Sequence, residues 1–304
     1  MPRPDGTGID TPALTRLGYG AANVGNLFRA LSDDDAWAVL DAAWESGIRY
    51  YDTAPHYGLG LSERRLGAFL QTKPREEFVI STKAGRLLRP NPDDDGGLDL
   101  AADFHVRTTL RREWDFSEGG IRASLAESLE RLGIDRVDIL YLHDPERHDL
   151  DLALREAFPA LEQLRAEGAV DAVGIGSMTA DALAAAVRGA DLDLIMIAGR
   201  YTLLEQPAAD DVLPACHERR TGVVAASSST PACWRRTSPR ATTATSTDGC
   251  RSRCGRTCSA SSRSAARTTC RCLPRRCSSR CGIPPCARSS WAGAARSSCA
   301  ATPS

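Results

Sequence analysis

The amino-acid sequence predicts an α/β fold, a (β/α)8 TIM barrel that is incomplete as written, on three observations. Seven short apolar runs alternate with amphipathic segments of helical period up to residue 227, the pattern of strands joined by crossover helices. Several of the runs are apolar almost throughout, as parallel strands buried on both faces are. At residue 228, before an eighth strand is reached, the composition changes abruptly.

Taken in order, "LTRLGYGAANVG" supplies the first short strand. "DDDAWAVLDAAWESGI" is a helix capped by Ser32 or an early Asp, with Ala36, Val39, Leu40 and Ala43 expected on one face. It leads into the strand "IRYYDTA". "SERRLGAFLQ" is the next helix and "FVISTKAG" the next strand. Residues 86–116 then form a connection longer than barrel loops need to be, expected to be a substrate lid, with a solvated loop as the alternative. A helix over 117–132 precedes the strand "RVDILYLHD". Helix 151–167, strand "AVGIGS", helix 179–189, strand "LDLIMIAG", helix 208–219 and strand "GVVAAS" complete the seven.

Residues 228–304 are of another kind. They hold 14 Arg, no Lys, one acid (Asp248) and ten of the eleven cysteines, with Leu273 and Ile283 the only large aliphatics. The formal net charge of −1 therefore hides two parts: residues 1–227 carry 24 basic and 38 acidic residues, about −14, and the tail about +13. An acidic body argues against a nucleic-acid surface there. "MPRPDGTGID" lacks the apolar core of a signal peptide, and no 18-residue apolar run exists to span a membrane. With Cys216 the body's single cysteine, a cytoplasmic protein without a disulfide framework is expected.

The tail's cysteines at 250, 254, 258, 270, 272, 277 and 281 lack the paired spacing of a zinc knuckle, so no metal is assigned. Its arginines come without aromatic interleaving or a nucleic-acid motif. So few large apolar residues do not offset ordering entropy, and disorder is expected. The genetic code offers a sharper reading, because Arg, Ser, Cys, Ala, Pro, Thr and Gly with isolated Trp is what GC-rich DNA yields out of frame. One shift of the frame turns "SSTPACW" into VFNSGLL, and the same shift turns residues 272–292 into PAAALQFPLRHPAVRSVVVG. The second text holds a helix-like apolar stretch and a β-branched run closed by Gly, as a buried eighth strand requires. The sequence thus divides into a barrel body, 1–227, and an out-of-frame tail, 228–304, the product of a single-base loss near codon 227.

In a barrel of this kind the active site lies at the C-terminal ends of the strands. Those ends present Asp52, Lys83, His143, Ser177 and Arg200, with Tyr57 just beyond the second strand. A Lys held by a carboxylate and set beside a phenol lowers the phenol's pKa and makes it a usable general acid, while a His fixes a substrate oxygen. Singly, Tyr57 reads as packing and Lys83 with Asp52 as a structural ion pair; four such groups on three successive strand ends read as a proton-transfer site. His56, His105, His148 and His217 show no ligand spacing and read as ordinary polar positions. "GIGS" lacks the third glycine of a dinucleotide fingerprint.

"YYDTAPHYGLGLSERRLG", "VISTKAG" and "YLHD" resemble, in order, the signature blocks of the aldo-keto reductases, over about residues 13–227. "EWDFSEGGIRASLAESLERLG", "YLHDPERHDL" and "AGRYTLLEQ" are similar to the sugar-oxidising branch of that family, the D-threo-aldose 1-dehydrogenases (L-fucose or L-galactose dehydrogenases), with pyridoxal 4-dehydrogenase close by. The resemblance implies a (β/α)8 barrel that uses NAD or NADP on a small-molecule aldose or aldehyde, oxidising an anomeric carbon to a lactone or reducing a carbonyl, with no nucleic-acid or membrane partner. It implies Tyr57 as general acid/base, Lys83 as its partner, Asp52 as the carboxylate that holds the Lys, and His143 as the residue orienting the carbonyl or hydroxyl. It also implies Tyr201 as the ring stacked on the nicotinamide, Gly20 as the turn where backbone approaches it, and Ser177 as half of a Ser-Asn pair on the carboxamide. Met178 and Ala198 depart from that pattern, standing where many members have Asn and Gln. The family's segments around the last strand wrap the pyrophosphate and adenosine, so the chain as written is expected to fail as a dehydrogenase and to aggregate or be degraded. The alternative is a barrel body with a genuine basic, cysteine-rich binding tail.

Overall fold

In the computed structural model, which describes residues 14–227, seven parallel strands form the sheet. They are β1 (Gly18–Gly20), β2 (Tyr50–Asp52), β3 (Val79–Ala84), β6 (Ile139–His143), β7 (Ala172–Ser177), β8 (Leu194–Ala198) and β9 (Gly222–Ala226). Their order in space is their order in sequence, as right-handed crossovers around a barrel demand. The described residues lie in one compact unit, Met1–Arg235, and the other unit, Arg236–Ser304, lies outside them. The expectations for the tail, the restored eighth strand included, therefore fall outside the described residues. Among the described residues β1 and β9 each pair on one side only.

The crossover helices are α1 (Asp33–Glu45), α2 (Leu61–Leu70), α3 (Glu118–Leu132), α5 (Phe158–Ala166), α6 (Ala180–Gly189) and α7 (Val212–Arg219). Ser32 caps α1 by accepting from the Asp35 N–H at 3.1 Å, with Asp33, Asp34 and Asp35 in the first turn, where acids favour the positive end of the helix dipole. The buried face of α1 is Ala36, Leu40, Ala43 and Trp44. Val39, expected on that face, is 44% exposed, because positions 36, 40, 43 and 44 centre the stripe one step away from it. The helix expected over 151–167 is broken: α4 (Leu150–Leu152) runs through a π turn (Ala153–Ala157) into α5. Likewise, the helix expected from 208 begins at Val212 after a 3-10 turn, Pro207–Ala209.

Alternation along the strands sorts side chains into two layers. Tyr51, Ile80, Leu140, Leu142, Val173, Ile175, Ile195 and Ile197 belong to the large apolar cluster shared with the helices. Tyr50, Val79, Ile139, Tyr141, Ala172, Leu194 and Met196 form the second cluster, inside the barrel. Asp52, Lys83 and His143 share the parity of that inner set, which turns them toward the barrel's interior at the ends of their strands.

Residues 86–116 are no open loop. β4 (Arg86–Pro90) and β5 (Leu110–Trp114) form an antiparallel hairpin, with Arg86 opposite Trp114. Bridges Leu27–Phe104 and Leu98–Arg107 tie down the segment between them. The hairpin was hidden in the sequence because "LRREW" sets three charged residues in a row with no apolar alternation, and its partner follows directly on an apolar strand.

Candidate active site

Register brings the candidate residues together. Asp52 on β2 pairs with Gly20 on β1 and Ser81 on β3, and Lys83 on β3 pairs with Tyr141 on β6. Lys83 is 2% exposed and Asp52 7%. Its three ammonium hydrogens are all used: Nζ donates to Asp52 Oδ2 at 2.6 Å, to the Thr53 carbonyl at 2.9 Å and to the Tyr57 hydroxyl at 3.0 Å. The other oxygen of Asp52 accepts from Ser81 Oγ at 2.8 Å. Since that hydroxyl has one hydrogen, Tyr50 donates to Ser81 at 3.0 Å, and Tyr141 backs Tyr50 at 3.3 Å. A chain of donors thus runs up the barrel's interior and ends on the carboxylate.

Tyr57 comes from the loop between β2 and α2. Its N–H donates to the Ala54 carbonyl, and the Gly60 N–H to that of Pro55. The loop lies flat against residues 21–25 because Gly58 follows: at φ +62° with the Gly25 carbonyl beneath it, an added Cβ would sit 2.1 Å from that oxygen. The imidazole of His143 meets the Tyr57 ring edge-on, centroids 5.7 Å apart.

Electrostatics divide the four groups. Burial opposes the charge on Lys83, but Asp52 and Tyr57 together outweigh it and hold the ammonium above its ordinary value. Burial also raises the Tyr57 hydroxyl above its ordinary value, with Lys83 pulling the other way. This corrects the sequence expectation that Lys83 would bring the phenol's pKa down: in a buried site desolvation of the phenolate is the larger effect. His143 is pushed well below the usual imidazole range by burial and by the cations Arg86 and Lys83, so it is neutral.

Ser177, fully buried, does not stand free. Its hydroxyl donates to Glu146 Oε1 at 2.6 Å and accepts from the Thr179 N–H at 2.9 Å. Beside Gly20 a Cβ would meet nothing within 4 Å, and the Tyr201 ring is 38% exposed. Arg200 faces Glu205 at 3.6 Å. Met178 and Ala198 offer no amide at the positions where the resemblance expected one.

Three features escaped the sequence reading. His56, taken as an ordinary polar position, packs between Tyr57, Phe104 and His143 with centroids 5.4–6.1 Å apart. Burial and then Arg112 lower its pKa to about 2. Arg112 seats the hairpin by donating to the His56 carbonyl at 2.9 Å while it pairs with Asp99. Arg86 pairs with Asp144 at 2.7 Å directly behind His143. The signal available was adjacency, since His56 precedes Tyr57 and Asp144 follows His143; Arg86 and Arg112 carried none without the hairpin register. Among the described residues no His, Cys, Asp or Glu cluster is arranged to hold a metal ion, and no helix is long and apolar enough to cross a membrane.

Comparison with known proteins gives this geometry a context. Residues 16–239 match the aldo/keto reductase family. A D-threo-aldose 1-dehydrogenase from a Pseudomonas species is 78% identical over 216 residues, covering 71% of this chain and 66% of its own. A pyridoxal 4-dehydrogenase from Microbacterium luteolum is 38% identical over 228 residues, covering 70% of this chain and again 66% of its own. A glycerol dehydrogenase from Gluconobacter oxydans superposes with a TM-score of 0.60 at 25% identity, covering 79% of this chain and 67% of that one. The chain thus spans slightly under two thirds of the length of the two curated relatives.

Proposed function

Because the chain belongs to the aldo/keto reductase family, we propose that its body is the catalytic part of an NAD(P)-dependent oxidoreductase. The reaction is oxidation of the anomeric carbon of an aldose to a lactone, or reduction of a carbonyl in reverse. The observation that carries this reading is the hydrogen-bonded line from Asp52 through Lys83 to Tyr57, set against a neutral His143. The aldose is favoured over pyridoxal by 78% against 38% identity to the respective relatives.

The face at the strand ends fits a nicotinamide. Gly20 leaves open space where a side chain would intrude, and Tyr201 is partly exposed. Held there, the nicotinamide would take up or supply the hydride. The chain's own residues handle the proton. In reduction Tyr57, kept protonated by burial, gives its hydroxyl proton to the carbonyl oxygen, and the Lys83 ammonium 3.0 Å away steadies the tyrosinate that remains. In oxidation Tyr57 must act as the tyrosinate, the form that the Lys83 ammonium favours against the effect of burial, and takes the anomeric hydroxyl's proton. Asp52 keeps Lys83 charged, and His143, being neutral, orients the substrate oxygen without protonating it. Phe104, seated on His56 and Tyr57 by the β4–β5 hairpin, walls one side of this space and serves as the lid.

We further propose that residues 228–304 are out of frame and replace the segment that in this family wraps the rest of the dinucleotide, so the chain as written is inactive. The test is to restore the frame after codon 227 and assay a panel of aldoses beside pyridoxal with NAD and NADP. Aldose-dependent reduction of the cofactor supports the reading; turnover of pyridoxal alone rejects the aldose, and turnover of neither rejects the whole.

A further inference from the structure

Tyr50 and Tyr141 carry hydroxyls in the barrel's interior that the proton transfer described above does not use. Their rings pack with Val79, Ile139, Ala172, Leu194 and Met196, an apolar setting that a phenylalanine ring would fill as well. A buried hydroxyl is costly unless it is bonded, and these two are bonded in one direction only. Tyr141 donates to Tyr50 at 3.3 Å, Tyr50 to Ser81 Oγ at 3.0 Å, and Ser81 to Asp52 Oδ1 at 2.8 Å. The far end sets that direction, because a carboxylate only accepts and each hydroxyl has one hydrogen. Burial raises both phenols above their ordinary values, so the chain keeps its hydrogens across the working range of pH.

Resting on the proton-transfer reading above, we propose that Ser81, backed by Tyr50 and Tyr141, is a positioning residue that tunes Tyr57 through Asp52 and Lys83. The two oxygens of Asp52 have opposed duties: Oδ2 accepts from Lys83 at 2.6 Å and Oδ1 from Ser81. A donor on Oδ1 draws negative charge away from Oδ2, and a donor that is itself hydrogen-bonded draws more. Asp52 then holds Lys83 less tightly, and the ammonium is freer to stabilise charge on the Tyr57 oxygen 3.0 Å away. The form that gains is tyrosinate, which oxidation needs and burial disfavours. The other groups around the site are neutral or paired. A Cβ on Gly176 would lie 3.7 Å from Lys83 Cε and 3.8 Å from Met196, so β7 and β8 set a glycine and a thioether beside the lysine. His56 and His143 are neutral. Asp144 is held by Arg86 at 2.7 Å with Arg147 at 3.7 Å, and Arg112 pairs with Asp99.

The test is the pH profile of turnover by the frame-restored chain in both directions. Reduction needs the phenol and oxidation the phenolate, so one falls and the other rises through a limb that belongs to the Tyr57–Lys83 pair. Ser81→Ala is expected to move that limb up by about 0.5–1 pH unit in both directions, the share of a lost charge-assisted hydrogen bond that reaches Tyr57. Tyr50→Phe, which keeps the ring, should move it the same way by less, and it decides the matter if Ser81→Ala fails to fold. The tyrosinate absorbance that Tyr57→Phe removes should titrate with the same shift. A serine that only packs would lower turnover or stability and leave the limb in place. An unmoved limb in Ser81→Ala, or in Tyr50→Phe where that variant alone folds, overturns the role of Ser81, as does a downward shift; turnover by the parent shows in each case that the proton-transfer reading stands. If the restored parent turns over no aldose or aldehyde, that reading fails and this inference with it.

Discussion

Asp52→Asn removes the charge that balances Lys83 and leaves its shape. Lys83 is buried among Asp52, the Thr53 carbonyl and the Tyr57 hydroxyl, and after the substitution its ammonium faces only neutral partners. Breaking one side of a buried pair costs about 3–5 kcal/mol, a large share of a net stability of about 5–15 kcal/mol. The pH dependence changes sign as well. In the parent the folded Lys83 sits above its ordinary pKa, so its contribution is complete at neutral pH and is lost only as pH rises through that raised value. In the variant burial is left as the main influence and the folded pKa falls below the ordinary one, so stability is lost as pH falls and regained as pH rises toward the unfolded value. The gap between parent and variant should narrow by up to about 1.4 kcal/mol per pH unit. Urea unfolding of the frame-restored chain at about pH 7 and about pH 9 measures it. Adding Lys83→Met to the variant should recover part of the loss, since it removes the buried ammonium left without a counter-charge. A loss under about 1 kcal/mol, or a gap indifferent to pH, would show that the pair is not the buried, coupled unit described.

Other outcomes follow from the same contacts. Tyr57→Phe in the frame-restored chain should lower kcat by about 10²–10⁴ while nucleotide affinity, read by fluorescence titration, stays put. Gly58→Ala places a Cβ against the Gly25 carbonyl at positive φ and should cost on the order of 2–4 kcal/mol in urea unfolding, with turnover falling as Tyr57 shifts. The pKa values of His56, at about 2, and His143, well below the usual range, are both lowered in the fold. The unfolded chain therefore binds more protons than the fold below about pH 6.5, and stability should fall as pH drops through that range, by up to about 1.4 kcal/mol per unit for each ring. His143→Gln should make that acid limb shallower, which urea midpoints across the range would reveal. Phe104→Ala should free the hairpin and make residues 86–116 the first site of limited proteolysis, with the rest of the body resistant.

Much of the barrel could be read from the chain because its strands announce themselves. "VISTKA" and "AVGIGS" are buried along their whole length, and the second leads directly into the helix α6. Asp52, Lys83 and His143 were visible for the opposite reason: a polar side chain at the end of an apolar strand is costly unless it is used. What stayed hidden depended on contacts across long sequence separations. Arg112 reaches the His56 carbonyl across 56 residues, and the β4–β5 register that carries it leaves no periodic mark in a charge-rich stretch. The direction of the Tyr57 shift was misread because a sequence reveals the neighbouring cation but not the burial that outweighs it. Ser177 was expected from the resemblance to hold a carboxamide, and nothing in the sequence showed that the turn after β6 brings Glu146 against its hydroxyl.

The central claim is that this body holds a complete proton-transfer site whose enzyme is disabled by the reading frame beyond residue 227. It is tested most directly by expressing the chain as written and with a single base restored at codon 227, then following cofactor reduction on addition of an aldose. The account predicts turnover from the restored chain, abolished by Tyr57→Phe, and none from the chain as written. Turnover by the 304-residue chain itself, or none from the restored chain with any aldose or aldehyde, would contradict it.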